Sequence, residues 1–222
     1  MKTSLKNFTS TFIAIVIFFV AFSSVKYGVS ENNKNNKNKK NSIVQNQIGE
    51  TLDEIEKRIE NDNSDKTYSE KAITASQETL RNELSKNKNS EVTAAGAMIG
   101  YYTRVTEATP KYCETLGTDV SPFVNRFKVM HKTEYNNAVE ILKHNNQSIE
   151  DLKNSIRNTA YDYVKKEVHD IQTMTINATG EQTFTLAMSC SVYNMMAEDP
   201  TGMESSKFSN LSPDAYEIIM KQ

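Results

Sequence analysis

The spacing of apolar residues constrains this chain more than any other feature of its sequence. Beyond residue 42, apolar residues recur every three or four positions, which is typical of one face of an α-helix, and no segment alternates convincingly as a strand would. The first such seam consists of Ile48, Leu52, Ile55 and Ile59. We therefore predict an all-α fold, a bundle of six to seven helices.

Two long helices are predicted in the second half of the chain. Ser121-Pro122 opens one and Ser148, with Asp151 three residues on, opens the other in the manner of N-caps. The first helix has an apolar face of Val124, Phe127, Tyr135, Ala138 and Leu142. The second has one of Ile149, Leu152, Ile156, Ala160 and Tyr163. Both helices are therefore amphipathic.

Shorter helices are predicted between and after these two. The uncharged segment 92–102, VTAAGAMIGYY, is too short to span a bilayer and predicts a buried helix whose small residues admit a close neighbour. Thr109-Pro110 indicates a cap and a first helical proline, and Gly117 a stop. A further helix should follow Gly180, running through Phe184, Met188 and Met195 until Pro200 and Gly202 end it, and Ser212-Pro213 should cap a short final one.

The N-terminus has the pattern of an export signal. Lys2 and Lys6 precede an uncharged run over residues 7–25, whose end offers small residues for cleavage before Ser24. The same run is close to the length that an uncleaved membrane anchor needs. We predict that residues 1–23 are a signal peptide or a membrane anchor, and that the chain is exported to the periplasm or the extracellular space.

The remainder divides into a spacer and one helical domain. Residues 24–41 are a predicted disordered spacer, because the stretch ENNKNNKNKKN within it has no apolar residue. Its lysines argue against export, because positive charges beside a membrane segment normally stay on the cytoplasmic side. The domain covers 42–222, with a helical hairpin over 42–88 and the main bundle over 90–222. The second helix of the hairpin should begin near Ser69.

The chain has two cysteines, Cys113 and Cys190. Behind an export signal, two cysteines predict a disulfide that joins their two helices. The alternative is a pair of buried free thiols. No C-x-x-C motif is present for redox or zinc chemistry.

Charge argues against a nucleic-acid partner. From Ser42 onward the chain has 19 Lys plus Arg and 27 Asp plus Glu, a net charge of −8 (19 − 27). Such a surface repels phosphate backbones. Sequence signatures of nucleotide, zinc, calcium and serine-hydrolase sites are also absent, so we predict no cofactor.

Histidine and methionine side chains are the candidate metal ligands. His131, with Glu134 three residues on, is better read as a hydrogen-bonded histidine at the core edge than as a metal ligand, and His144 and His169 as solvated. The methionines around Cys190, namely Met188, Met195 and Met196, are read as core packing before a copper(I) site. The tyrosines at 101, 102, 161 and 163 should pack with their hydroxyls towards water.

These features favour an exported envelope protein without enzyme activity, a helical module that binds another envelope protein. A small ligand between helices is an alternative partner that nothing in the sequence supports. The N-terminus offers a membrane tether. The alternative functions are an exported hydrolase that uses scattered carboxylates and a membrane-anchored structural or assembly factor.

Overall fold

The computed structural model describes residues 57–59, 61–64, 68–86 and 89–221, and within these ranges the chain is helical and contains no strand. The prediction of an all-α fold is confirmed. In chain order the elements are α1 (Tyr68–Lys86), α2 (Ser90–Thr103), a π-helical turn (Arg104–Ala108), α3 (Thr109–Thr115), α4 (Ser121–Met130), α5 (Lys132–His144), α6 (Ile149–Thr179), α7 (Leu186–Glu198), α8 (Pro200–Ser205), α9 (Phe208–Leu211) and α10 (Pro213–Met220).

The predicted leader, the predicted spacer and most of the first predicted helix lie outside the described residues. Residues 57–59 are helical, and the guanidinium of Arg58 donates to the carbonyl of Ala75 on α1 at 2.9 Å. None of the described helices combines the length and the apolar character needed to cross a bilayer.

Helix α2 lies at the centre of the bundle and packs against α5, α6 and α10. Ala94, Ala95, Ala97 and Met98 are fully buried. Because small side chains fill little space, the neighbouring helices can approach α2 closely and remain well packed. The prediction of a buried helix over this uncharged segment is confirmed.

Helix α3 begins at Thr109 as the sequence predicts, but Thr109 is not a cap. Thr109 has helical dihedral angles, and α2 continues through the π-turn into α3 without a break. The backbone N–H of Thr109 donates to the carbonyl of Arg104, and its hydroxyl donates to the same oxygen at 3.1 Å. Pro110 follows directly and has no N–H to give to a regular α-helical ladder. The wider π-turn lets the helix pass this proline.

The long helix predicted from Ser121 is two helices, because the chain bends at His131. His131 has φ −101° and ψ 17°, outside the α-helical region, and separates α4 from α5. The predicted apolar face is still buried on both sides of the bend, at Val124 and Phe127 in α4 and at Ala138 in α5. The bend turns both segments towards the core, and the buried ring of His131 holds it there.

Helix α6 begins where the sequence predicts. The hydroxyl of Ser148 accepts the N–H of Asp151, and Gly180, with φ 73°, ends the helix in the left-handed conformation that glycine adopts most easily. Helix α7 ends before Pro200, which begins α8. A Cβ at position 202 would lie 3.0 Å from Cα of Met196, so Gly202 permits α8 to fold back onto α7.

The N-terminal helix α1 belongs to the same core. Leu80 and Leu84 are buried with residues of α2 and of the C-terminal helices. At the surface, Arg81 makes an ion pair with Asp214 of α10 at 2.8 Å. Helix α1 therefore packs against both the centre of the bundle and its C-terminal end.

Candidate functional site

The structure brings the two cysteines together. The Sγ atoms of Cys113 on α3 and Cys190 on α7 lie 2.03 Å apart, and both side chains are fully buried. The prediction that they meet at disulfide distance is confirmed. The link spans 77 residues of sequence. In the chain-entropy model a loop of this length stabilises the fold by about 4–5 kcal/mol.

A buried ion pair connects the π-turn to α6. Nη1 of Arg104 lies 2.8 Å from Oε2 of Glu167, and the two side chains are 4% and 1% exposed. The guanidinium also lies 5.5 Å from the centre of the Tyr101 ring. The hydroxyl of Tyr193, on α7, interacts with the same carboxylate. One polar cluster therefore ties the π-turn to two other helices inside the core.

Burial raises the pKa of Glu167, and this effect outweighs the opposing effects of the Arg104 charge and the Tyr193 hydroxyl. Burial also raises the pKa of Tyr193, and the Glu167 charge raises it further. A carboxyl group with a raised pKa can act as a general acid, but it must reach its substrate. Glu167 is sealed inside the bundle, so we interpret this cluster as part of the packing.

Two side chains in the core form hydrogen bonds to the carbonyl of Ser206. The hydroxyl of Tyr101 donates to it at 2.7 Å, and Nε2 of His131 lies 3.1 Å away. Because a carbonyl only accepts, Nε2 of His131 carries a hydrogen. The prediction that the hydroxyl of Tyr101 faces water is wrong, since a backbone carbonyl inside the core replaces water as its acceptor.

The predicted hydrogen-bonded role of His131 is confirmed, but the residue is fully buried rather than at the core edge. Its Nδ1 lies 3.5 Å from Oε1 of Glu134, as the three-residue spacing predicts. Among the described residues, no group of three or more His, Cys, Asp and Glu side chains could hold a metal ion. His144 and His169 are exposed, as predicted.

The core prediction is right for one of the three methionines near Cys190. Met196 is buried, whereas Met188 is 42% and Met195 is 49% exposed. These two are seven residues apart, which places them on one side of α7, away from the side that carries Cys190. An apolar residue type alone does not indicate burial.

A half-exposed strip rich in tyrosine lies where the π-turn meets α6 at the surface. We call it the tyrosine strip, and it consists of Tyr102, Glu107, Lys111, Tyr135, Lys153, Arg157 and Tyr161. Lys153, Arg157 and Tyr161 are spaced by four along α6 and therefore share one side of that helix. Glu107 comes from the π-turn and Lys111 from α3.

Glu107 organises the middle of the strip. Its Oε1 accepts a hydrogen bond from Nζ of Lys153 at 3.1 Å, and its Oε2 accepts two from the guanidinium of Arg157 at 3.2 and 3.1 Å. Two donors from one guanidinium fix orientation as well as distance. The cationic side chains are thereby held in place on α6.

Aromatic rings flank these charges. The rings of Tyr102 and Tyr135 stack with centroids 4.0 Å apart, and Nζ of Lys153 lies 5.8 Å from the second ring. At the other end, Nζ of Lys111 lies 5.3 Å from the centre of the Tyr161 ring. These cation–π contacts order both the lysines and the tyrosines.

The strip is cationic on an acidic protein. Burial lowers the pKa of Lys153, but its interactions with Glu107 and Tyr135 more than compensate, so the pKa is raised and the amine stays protonated. With Lys111 and Arg157, the seven residues have three positive charges and one negative charge, a net +2 (3 − 1). Glu150 also lies 3.5 Å from Arg157 and reduces the net charge of the group to +1 (3 − 2). The region from Ser42 onward has a net charge of −8.

The sequence alone does not predict this strip. Its signal is the four-residue spacing of Lys153, Arg157 and Tyr161, which reads as an ordinary solvated helix face until Glu107 is placed opposite it. The geometry suits recognition, because ordered tyrosine and arginine side chains supply contact area at little entropic cost. No protein-family model, curated protein or solved structure matches this chain.

Proposed function

We propose that this chain is an exported helical protein that binds another protein, and that the tyrosine strip is its contact face. The observation that carries the proposal is a cationic, tyrosine-lined strip on an otherwise acidic protein. An electrostatic field of this kind orients a partner during encounter. The partner expected from it presents carboxylates together with apolar side chains.

The chemistry of the strip supports a protein partner. Tyrosine and arginine are enriched where binding energy concentrates, because each offers a large surface and directed hydrogen bonds. Tyr102, Tyr135 and Tyr161 are all half-buried, so their rings are ordered before a partner arrives. Preorganised side chains lose less entropy on binding, which favours affinity.

Export is the second component of the proposal. The predicted leader over residues 1–23 motivates it, and the disulfide-distance pair of Cys113 and Cys190 is compatible with an oxidising compartment. In this proposal a bundle of six to seven principal helices follows the leader and the Asn/Lys-rich spacer over 24–41. Whether cleaved or retained, the leader would leave the strip outside the cytoplasm.

Intact mass of the protein from its native host, with and without reduction before alkylation, tests export. We expect a species that begins near Ser24 and takes up alkylating agent on Cys113 and Cys190 only after reduction. A species retaining residues 1–23 with oxidised cysteines would indicate an exported anchored form. Full-length protein with both thiols alkylated without reduction would contradict export.

A photo-crosslinking amino acid at position 161 tests the contact face in cells. We expect a covalent adduct with one defined protein, and loss of that adduct when Arg157→Glu reverses a charge of the strip. The matched control places the same crosslinker at Asp162, one residue along α6 and therefore about 100° around the helix. Equal adducts at both positions would contradict the assignment.

A further inference from the structure

The exposed side of α7 carries almost no charge. Four large apolar side chains are exposed in the described part of the chain, and two of them, Met188 and Met195, lie on this helix. Its 13 residues include one charged side chain, Glu198 at the C-terminal end, whereas 24% of the whole chain is charged. We call Met188, Ser191 and Met195, which are all exposed on this side, the methionine face.

The methionine face is complementary to itself. Its two methionines are about 10.5 Å apart along the helix axis, and the smaller Ser191 lies between them. The hydroxyl of Ser191 donates to the carbonyl of Ala187 at 3.2 Å, so its hydrogen is already used within the helix. A large, small, large order is the same in both directions, which suits a second copy of the helix that runs antiparallel.

We propose that two copies of this protein associate through the methionine face, with their α7 helices antiparallel. In this symmetric dimer Met188 of each copy packs against Met195 of the other, and the two Ser191 side chains lie beside the axis. Methionine suits such a contact because its flexible, polarizable side chain adapts to irregular neighbours. The inference goes beyond the proposed function and does not depend on it, since no residue of the tyrosine strip comes from α7.

Charge favours a second copy in this arrangement. The region from Ser42 onward has a net charge of −8 (19 − 27), so two copies repel each other over most of their surfaces and least at an uncharged face. The register that pairs Met188 with Met195 also places Glu198 of one copy beside Thr185, the N-cap of α7, of the other. The first turn of α7 contains no acidic residue, so the carboxylate of the second copy complements the positive end of the helix dipole.

Helix α4 extends the contact at one end. The guanidinium of Arg126 donates to the carbonyl of Ala197, so this side of α4 borders the C-terminal end of α7. Val129, three residues further along α4, shares that side and is 78% exposed. A helix of 13 residues is about 20 Å long, which gives a contact in the size range of weak, reversible interfaces. We therefore expect a dimer that dissociates on dilution.

Sedimentation equilibrium of the protein expressed in its native host tests the association. We expect the average mass to rise from one protomer towards two over about a hundredfold range of concentration. Met188→Glu/Met195→Glu places like charges against each other and should hold the mass at one protomer. Met220→Glu, the same change at an exposed methionine of α10, is the matched control and should leave the association unchanged. Circular dichroism should be the same for all variants, because these side chains are exposed.

A charge reversal tests the antiparallel register. Met188→Glu/Met195→Lys places opposite charges against each other when the helices are antiparallel, and like charges when they are parallel. We expect it to dimerise about tenfold more tightly than Met188→Glu/Met195→Glu at low salt, and high salt should remove the difference. If both charged variants are equally weak at low salt, the antiparallel pairing is wrong.

A photo-crosslinking amino acid at position 195 identifies the occupant of the face in cells. We expect an adduct of twice the protomer mass, which Met188→Glu abolishes. An adduct with a different protein in its place would overturn the assignment to a second copy. A mass of one protomer at every concentration up to about 1 mM would overturn the dimer, and association that persists in Met188→Glu/Met195→Glu would overturn its placement on α7.

Discussion

The π-turn makes ion pairs with α6 at two places, which we call the inner pair and the outer pair, and the two have opposite polarity and opposite surroundings. Inside the bundle the π-turn supplies the cation, Arg104, and α6 the anion, Glu167, with side chains 4% and 1% exposed. In the tyrosine strip the π-turn supplies the anion, Glu107, and α6 the cations, Lys153 and Arg157, with 31% of the Glu107 side chain exposed.

The difference in burial determines what each pair contributes. Removing one partner of a buried pair leaves a charge without water or counterion, which is costly, although the intact pair adds little net stability. A half-exposed pair is weakened by solvent and salt, so its loss changes the surface more than the fold. The inner pair therefore fixes how the helices fit, and the outer pair arranges charges for a partner.

The largest expected effect is the loss of the inner pair. Glu167→Leu should lower the free energy of unfolding by about 3–5 kcal/mol, because Arg104 keeps its charge in the core and loses this acceptor. Urea unfolding monitored by circular dichroism measures it. The double variant Arg104→Met/Glu167→Leu removes both charges and should recover most of the loss. If the single variant is as stable as the parent, the inner pair does not hold the bundle.

The pH dependence of stability should differ in sign between two carboxylates, Glu167 and Glu134. The pKa of Glu167 is raised, so the folded state holds its proton more tightly than the unfolded state does. Its contribution to stability is therefore present in acid and is lost as pH rises from the ordinary glutamate value of about 4.3 through the raised folded value. Glu167→Gln should flatten this part of the curve.

Glu134 should behave in the opposite way. Burial raises its pKa, but the hydrogen bond and the charge of His131 lower it by more, so the net shift is downward. Its contribution is present above the unfolded value and is lost as pH falls through the folded one. Glu134→Gln should reduce the loss of stability in acid. Identical slopes in both variants, in urea titrations at matched pH, would contradict the contrast.

A smaller effect is expected where the Ser206 carbonyl keeps one of its two donors. Tyr101→Phe removes the hydroxyl and leaves the ring in place, so we expect a loss of about 1 kcal/mol. His131 still donates to the same carbonyl. Tyr216→Phe, at a half-buried position of α10, is the matched control. A loss no larger than in the control would mean that water replaces the hydroxyl.

The smallest effect on stability is expected at the outer pair. Glu107→Gln should change unfolding less than Tyr101→Phe does, because solvent reaches the charges that remain. It should nevertheless raise the crosslinking yield at position 161 at low salt, since the strip gains positive charge. High salt should cancel that gain. A large loss of stability would show that both pairs are structural.

Local patterns predicted much of the fold. Helical spacing predicted the all-α class, Ser148 marked the start of α6, and an even number of cysteines behind a leader predicted their meeting. Each of these signals depends on neighbouring residues or on composition. The sequence therefore carries them without knowledge of the packing.

Other features depend on contacts between distant segments, and local patterns cannot contain them. Arg104 and Glu167 are 63 residues apart, and His131 bends its helix beside a carbonyl 75 residues away. The same reason explains why the sequence predicts neither the buried hydroxyl of Tyr101 nor the tyrosine strip. Only the folded chain places Glu107 opposite α6.

The π-turn also sets the rotational phase of the helix that follows it. One residue advances an α-helix by about 100°, and a π-turn contains one residue more than an α-turn does. Deleting a single residue from 104–108 would restore regular winding and keep that phase, whereas deleting one from 110–112 would turn Cys113 about 100° away from Cys190. A one-codon deletion in 110–112 would therefore leave two reactive thiols before any helix was lost.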